Sequence, residues 1–515
     1  MRWKAIRNFS QNLFEFPRTF KRSLIRHDKP VSDRARSQIM FNNFFLHILS
    51  TRIHRYSLKS TYTFGLGVMA ASSFIILLVT GILLMIYYKP SVDLAYDSIK
   101  DIHYVVPGGR FIRNIHRWAT NIMIVSVFLH MARVFYTAAY KRWRAFNWVL
   151  GIILLVLTLL LSFTGYLLPW DQLAYWAVTI ATNIAASANE FTDALNITAY
   201  FNPGRFMKIL LLGSEEIGQD ALLRFYWLHC IILPLALVMV LGAHIWRVRK
   251  DGGLARPDHI SDEDLKGTPK DPLSDKVFTH APQKTYNLMC LVKGKTPIVG
   301  RGPEQTVSSW PHMMIRIVAV FMLTLALTCL YAYMIDAPLK EMANPSVPEN
   351  PAKAPWYFLG LQELVSYSAF MGGMGIPGLA LLGLVLIPYL DREEQEIGRW
   401  FDNKQGSRVT KNSFIYAVTV VVGMLVFTVS LGWLRNWFPQ IPQLFIIFFN
   451  PGTVLVVFFV AWSFYCMVRY NSTRMAAIAL FTCFLVAFVI LTYFGTYHRG
   501  PNWDFYWLKS QWPVH

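Results

Sequence analysis

Several stretches of this chain stay apolar for as long as a lipid bilayer is thick, and that property restricts its fold more than any other. Phe74–Tyr88, Val149–Leu168, Ile315–Met334 and Phe414–Leu434 approach or reach the roughly 20 residues a helix needs to cross hydrocarbon. Lipid offers no partners to free backbone groups, so runs of this length cross as helices. Of the 515 residues, 54% are hydrophobic and only 15% are charged, too few charges to coat a soluble enzyme of this size. The expected fold is all-α, a polytopic transmembrane helical bundle of about nine spans near 64–88, 115–136, 146–168, 226–248, 311–335, 374–390, 413–434, 444–468 and 475–496.

The formal charge of +19 does not imply nucleic acid. The Lys and Arg residues flank the apolar runs and fill the first sixty positions, as the positive-inside rule expects. The basic N-terminus, Lys141-Arg142-Trp143-Arg144, the 247–309 segment, the 391–412 segment and Arg469–Arg474 all fall on one side, expected to be the cytoplasm of a bacterial inner membrane. The opposite loops have a more mixed charge balance and are rich in aromatics, Pro and Gly. Residues 1–60 lack the compact apolar core of a cleavable signal and are expected to lie along the cytoplasmic surface as one or two amphipathic helices. The five cysteines form neither a C-x-x-C pair nor a C-x-x-C-H, so no zinc site, c-type haem attachment or disulfide is implied.

Four histidines carry the chemistry. His116 and His130 stand fourteen residues apart on the second span, and His229 and His244 fifteen apart on the fourth. At about 1.5 Å per residue each pair is separated by roughly 21–22 Å along its helix, and both members face nearly the same way. The two spans start on the same side, so His116 is expected to face His229 near the outer surface and His130 to face His244 near the inner one. Paired neutral imidazoles suit the iron of a low-spin b-type haem, which gives two haem b sites stacked across the membrane. Gly67 and Gly81 on span one, and Gly151 and Gly165 on span three, repeat at the same fourteen-residue interval and fit backbone that must approach a macrocycle closely. Arg113, Arg117 and Arg133 lie where they can neutralise haem propionates. The chain accordingly divides into a basic segment (1–60), a four-helix di-haem core (61–250), a hydrophilic linker (251–309), a second membrane domain (310–435) and additional transmembrane helices with an aromatic tail (436–515).

The stretch from Arg113 to Trp118 (RNIHRW), the histidine pairs, Pro169–Val178 (PWDQLAYWAV) and Arg224–His229 (RFYWLH) resemble cytochrome b of the Rieske/cytochrome b (bc and b/f type) quinol-oxidising complexes. The PWDQ segment and the fifteen-residue interval are closer to the b/f type. The likeness is strong over 41–250 and weaker over 305–435, which resembles the separate small subunit of b/f complexes, fused here to the first part. It implies a catalytic subunit of a quinol:electron-acceptor oxidoreductase that oxidises quinol at an outer site and carries electrons inward through the two haems. The implied partners are a Rieske iron–sulfur protein, a c-type cytochrome, the lipid bilayer and a second copy of the chain in a multi-subunit complex.

The resemblance places the outer quinol site in the loops Trp170–Asn183 and Ala354–Phe358, with Asp171, Pro355, Trp356 and Tyr357 as site residues. Where the family motif Pro-Glu-Trp-Tyr has its acidic proton acceptor, this chain has Pro355. Glu363 ranks first as a replacement, followed by Tyr357 and Asp171. The loss of that acid fits a low-potential quinol such as menaquinol. Gly65 stands where the b/f type has a haem-binding cysteine, so no covalent third haem is expected. His47, His54, Arg247 and Lys250 are the weakly marked candidates for an inner quinone site. The alternative reading is a di-haem, quinone-reactive membrane anchor of a respiratory complex without a Rieske protein.

Overall fold

A computed structural model describes residues 4–24, 52–270, 305–393 and 397–513. His47 and most of the linker lie outside the described residues. Among the described residues, nine helices are long and apolar enough to cross a membrane: Leu66–Met85, Gly109–Tyr136, Arg142–Leu167, Gln219–Lys250, Pro311–Met334, Met371–Leu390, Lys404–Trp437, Pro451–Tyr470 and Thr473–Tyr497, hereafter spans one to nine. The N-terminal segment forms two helices, Lys4–Phe14 and Phe16–Leu24. One departure from an all-helical chain is a short antiparallel pair, Arg52–His54 against Thr306–Ser308, which ties the N-terminal segment to the end of the linker.

Spans one and two pack on each other, as do three and four, and span five lies against one and two. Span nine is the axis of the second block. It packs against spans seven and eight and against the Trp356–Val365 helix. It is also the most buried span, half of its apolar window lying inside the protein against 11% for spans four and five. The helices expected to be additional are thus central. Phe135 of span two stacks on Phe481 of span nine at 3.9 Å between centroids.

A buried polar knot joins the two blocks. Asp391, after span six, receives the Tyr140 hydroxyl at 2.5 Å and lies 2.9 Å from the Lys141 ammonium. Arg474, wholly buried at the start of span nine, donates to the Tyr140 hydroxyl at 2.8 Å and to the Phe135 carbonyl at 2.9 Å. Removing one member of such a buried cluster costs about 3–5 kcal/mol, because the others are left charged and dry.

Two spans contain π-turns, Leu228–Ile232 and Met371–Gly375, each closed by an amide bonding five residues back (Leu233 to Leu228, Ile376 to Met371). In both, a proline follows after one intervening residue (Pro234, Pro377). Proline supplies no N–H and crowds the carbonyl four residues earlier, which opens the α-ladder at that point.

Candidate functional site

The π-turn in span four explains its histidine interval. Four α-turns take about 14.4 residues, so fourteen residues bring two side chains to one face and fifteen overshoot. A π-turn absorbs one extra residue. His229 sits within the Leu228–Ile232 turn, and the interval to His244 therefore behaves as fourteen.

His116 and His229 face each other with ring centroids 6.2 Å apart and planes at 72°. Two metal–nitrogen bonds of about 2 Å each, plus the two ring radii, require a spacing of about 6 Å. The Nδ1 atoms are turned outward to protein acceptors. His229 Nδ1 lies 3.0 Å from the Leu161 carbonyl, His244 Nδ1 3.2 Å from that of Asn147, and His116 Nδ1 2.9 Å from Thr80 Oγ1. The Thr80 hydroxyl donates to the Ile76 carbonyl at 2.8 Å, so it accepts from His116. Each of these bonds assigns the proton to Nδ1 and leaves the Nε2 lone pair free to bind a metal, the second-sphere pattern of ligating histidine. His130 and His244 both line a second cavity, with no such acceptor at His130 among the described residues.

Each of the four glycines backs one histidine. A Cβ built on Gly165 would lie 2.4 Å from His229 Cε1, on Gly67 3.0 Å from His130 Cε1, on Gly81 3.3 Å from His116 Cε1 and on Gly151 3.7 Å from His244 Cε1. The glycines were expected to clear space for a macrocycle; the contact they make is with the imidazoles.

Two cavities contain these pairs. The first, about 250 Å³, is lined by His116, His229, Gly81, Gly165, Arg113 and Arg117, and reaches Tyr166, Asp171 and Tyr357. The second, about 990 Å³, is lined by His130, His244, Gly67, Gly151, Arg133 and Arg144. Arg133 donates through Nε to the Tyr62 carbonyl at 3.0 Å, yet its buried Nη2 has no hydrogen-bond partner among the described residues. A buried cationic donor at the edge of a cavity is what an anionic side group of a bound cofactor would pair with. Arg113 instead gives its hydrogens to the Ala337 and Pro338 carbonyls at 2.9 and 2.6 Å. Arg117 lies 5.7 Å over the Tyr166 ring.

The structure brings only part of the expected quinol set together. Tyr357 is buried and lines the first cavity; burial pushes its hydroxyl pKa up, against a hydrogen bond with Ser162. Asp171 lines the same cavity. Burial raises its pKa from the ordinary aspartate value, while the backbone N–H groups of Lys340 and Ala174, both at 2.9 Å, and the Arg113 charge oppose the shift. Trp356 does not line it; its indole donates to Asn121 at 3.0 Å. Pro355 serves as the N-terminal boundary of the Trp356–Val365 helix. Glu363, ranked first as proton acceptor, lines neither cavity. Its carboxylate is fully buried and engaged by Arg499, Trp503 and Tyr367. Of the inner candidates, His54 lines the second cavity, Arg247 lies 3.5 Å from Asp251, and Lys250 sits over the Trp246 ring. The sequence reading missed Thr80 and Thr164, whose Oγ1 lies 3.3 Å from His229 Nδ1. Their signal is the Thr-Gly dipeptide that occurs at both Gly81 and Gly165.

Residues 53–252 match the sequence family described as Cytochrome b/b6/petB. Cytochrome b6 of Heliobacterium mobile is 43% identical over 187 residues, which cover 36% of this chain and 82% of that protein. The chain belongs to the cytochrome b/b6 family. Cytochrome b6 of Euglena gracilis is 40% identical over 187 residues, 36% of this chain and 81% of the relative. A solved structure titled "Hyperthermophilic respiratory Complex III" shares the fold at a TM-score of 0.50 and 22% identity, over 84% of this chain and 91% of that one. Membership implies an integral-membrane electron-transfer subunit that binds haem b, has an oxidoreductase role and works in a complex with other subunits. The four histidines, the four glycines and Asp171 fall inside the matched residues; Tyr357 and Glu363 lie beyond them.

Proposed function

We propose that this chain is the di-haem core of a proton-motive quinol-oxidising complex. His116 and His229 would hold one haem b, and His130 and His244 the other. Bound haem supplies a reversible one-electron carrier, and two of them stacked in a low-dielectric slab give electrons a path across the membrane. The observation that carries this reading is the set of glycine-backed histidines, three of them with Nδ1 tied to protein acceptors.

The first cavity is the proposed quinol site. Tyr166, Tyr357 and Asp171 are among the polar groups that line it together with the His116–His229 pair. Tyr357 orients the quinol through its hydroxyl. Asp171 accepts a proton: it is the carboxylate lining the cavity, and its burial raises its affinity for one. Arg113, beside it, steadies the charge left when Asp171 is ionised. The proposed location is a bacterial inner membrane; loop charge supports an orientation with the N-terminus in the cytoplasm and the first cavity toward the outer side. The proposed partners are a Rieske iron–sulfur protein and a c-type cytochrome, within a dimer.

Single replacement of each histidine by a non-ligating residue tests the reading. Reduced-minus-oxidised spectra of the purified complex should lose one of two b-type components in every case. Four unchanged spectra would overturn it.

A further inference from the structure

The group that the first cavity does not use is Glu363, and its surroundings are unusually complete. Arg499 Nε lies 2.9 Å from Oε2 and Nη2 2.6 Å from Oε1; the Trp503 indole donates to Oε2 at 3.0 Å and the Tyr367 hydroxyl to Oε1 at 2.9 Å. Four donors nearly fill the acceptor sites of one carboxylate. Arg499 Nη1 is also committed, to the Trp503 carbonyl at 2.9 Å. Proton capture by Glu363 would require this forked pair to open.

Arg499 and Trp503 follow span nine in a segment that folds back on itself through the Arg499–Phe505 bridge. The Gly500 amide donates to the Asp504 carbonyl and the Tyr506 amide to that of His498, both at 2.9 Å. The same region grips the loop leading into the Trp356–Val365 helix. Asn350 and Asn502 exchange two hydrogen bonds of 2.9 and 2.6 Å, and the Lys353 ammonium donates to the Thr496 carbonyl at 2.8 Å. Between these two grips the helix lies on span nine at glycines. A Cβ on Gly360 would be 3.0 Å from Thr492 Oγ1, and one on Gly495 would be 3.2 Å from the Leu359 carbonyl. The helix is therefore held before its first turn, along its length and near its end. Tyr357, on its first turn, points into the first cavity. Glu363 comes six residues later, about 240° around the helix axis.

We propose that the segment after span nine is a clamp that fixes the Trp356–Val365 helix and so positions Tyr357 in the first cavity, with the Glu363–Arg499 pair as its lock. The inference rests on reading that cavity as the quinol site. A buried ion pair contributes little net stability compared with apolar packing, but a forked guanidinium–carboxylate pair defines a geometry that apolar contacts leave loose. Glu363 and Arg499 are thus positioning residues, acting on quinol through Tyr357.

The test uses the intact purified complex, with menadiol and decylubiquinol as probes and b-haem reduction as the readout. Glu363→Gln and Arg499→Gln are each expected to raise KM on the order of tenfold, with the dithionite-reduced b-haem spectrum intact. The double variant should be no worse than either single one, since both break one lock. If Glu363→Gln lowers kcat and removes the acid limb of the pH profile while Arg499→Gln does neither, Glu363 is a proton acceptor and the proposal fails. Should the charge variants fail to assemble, Trp503→Phe deletes one donor only. It is expected to raise KM several-fold with full haem content, and an unchanged KM would overturn the clamp. Tyr357→Ala separates the two readings: no effect on KM or kcat sinks the quinol-site assignment itself, whereas a large effect beside silent lock variants sinks only the clamp.

Discussion

Adding one methyl group at Gly165 should do more harm to haem binding than the same change at any of the other three glycines. The Cβ would lie 2.4 Å from His229 Cε1, and ordinary contact begins near 3.4 Å, so the ring must retreat by 1.0 Å. His229 is tethered on that side by the 3.0 Å bond from Nδ1 to the Leu161 carbonyl, and a shift of this size takes that bond outside hydrogen-bonding range. Overpacking costs about 1–3 kcal/mol and the lost hydrogen bond about 1 kcal/mol. Alanine returns about 1 kcal/mol through its better helix propensity. The net loss of about 1–3 kcal/mol corresponds to a five- to roughly 150-fold weaker hold on the cofactor. At Gly151 the same methyl would meet His244 at 3.7 Å, ordinary contact, and only the propensity gain remains. The expected order of haem loss is Gly165, Gly67, Gly81, Gly151, read as haem per complex and as the midpoint potential of each b-type component. Equal retention across the series, or Gly151→Ala losing haem before Gly165→Ala, would refute the reasoning.

Thr80→Val removes the acceptor of His116 Nδ1 at nearly constant shape and should weaken haem retention about 10- to 100-fold or shift the midpoint potential of that component alone; a redox titration checks it. Asp171 must be ionised to take a proton, and burial raises its pKa, so quinol oxidation should fall as pH drops through that raised pKa, at a higher pH than an ordinary aspartate would give. The same shift makes the folded state hold its proton more tightly than the unfolded one, so stability from this group is full at low pH and declines as pH rises through the folded pKa. Asp171→Asn can still accept the Ala174 amide as a helix cap; it should lower kcat and abolish the acid limb while leaving the haem spectrum unchanged, and a persistent limb would exclude Asp171. Asp391→Asn breaks the knot with Lys141 and Arg474 and should destabilise the joint between the blocks by about 3–5 kcal/mol, seen as a lower midpoint in thermal unfolding of the solubilised complex.

The spans and the histidine register were legible because both follow from one-dimensional rules, apolar length and helical period. The fifteen-residue interval between His229 and His244 can be counted in the sequence; its cause, the π-turn imposed by Pro234, needs the bond from Leu233 to Leu228 to be seen. The histidine partners divide similarly. Thr80 and Thr164 leave a mark in the sequence, whereas the Leu161 and Asn147 carbonyls are backbone groups that no residue type announces. The sequence offers Glu363 as a carboxylate eight residues after Pro355. Its real surroundings come from Arg499, 136 residues away, and no local pattern carries contacts of that range.

That distance also bears on how the chain is divided. Asp171 lies within the residues matched by the family, yet its carboxylate is capped by the Lys340 amide, and its neighbour Gln172 exchanges hydrogen bonds with the backbone around Asn344 and Val347. Tyr357, which lines the same cavity, is carried by a helix that span nine and the segment after it hold in place. The first cavity therefore draws one wall from the first block and another from the second, and the second wall is braced by the last part of the chain. A division into a di-haem core and additional helices follows the order of the sequence; the first cavity cuts across it. Residues far from the histidines should accordingly alter how quinol binds while leaving the haem spectra untouched.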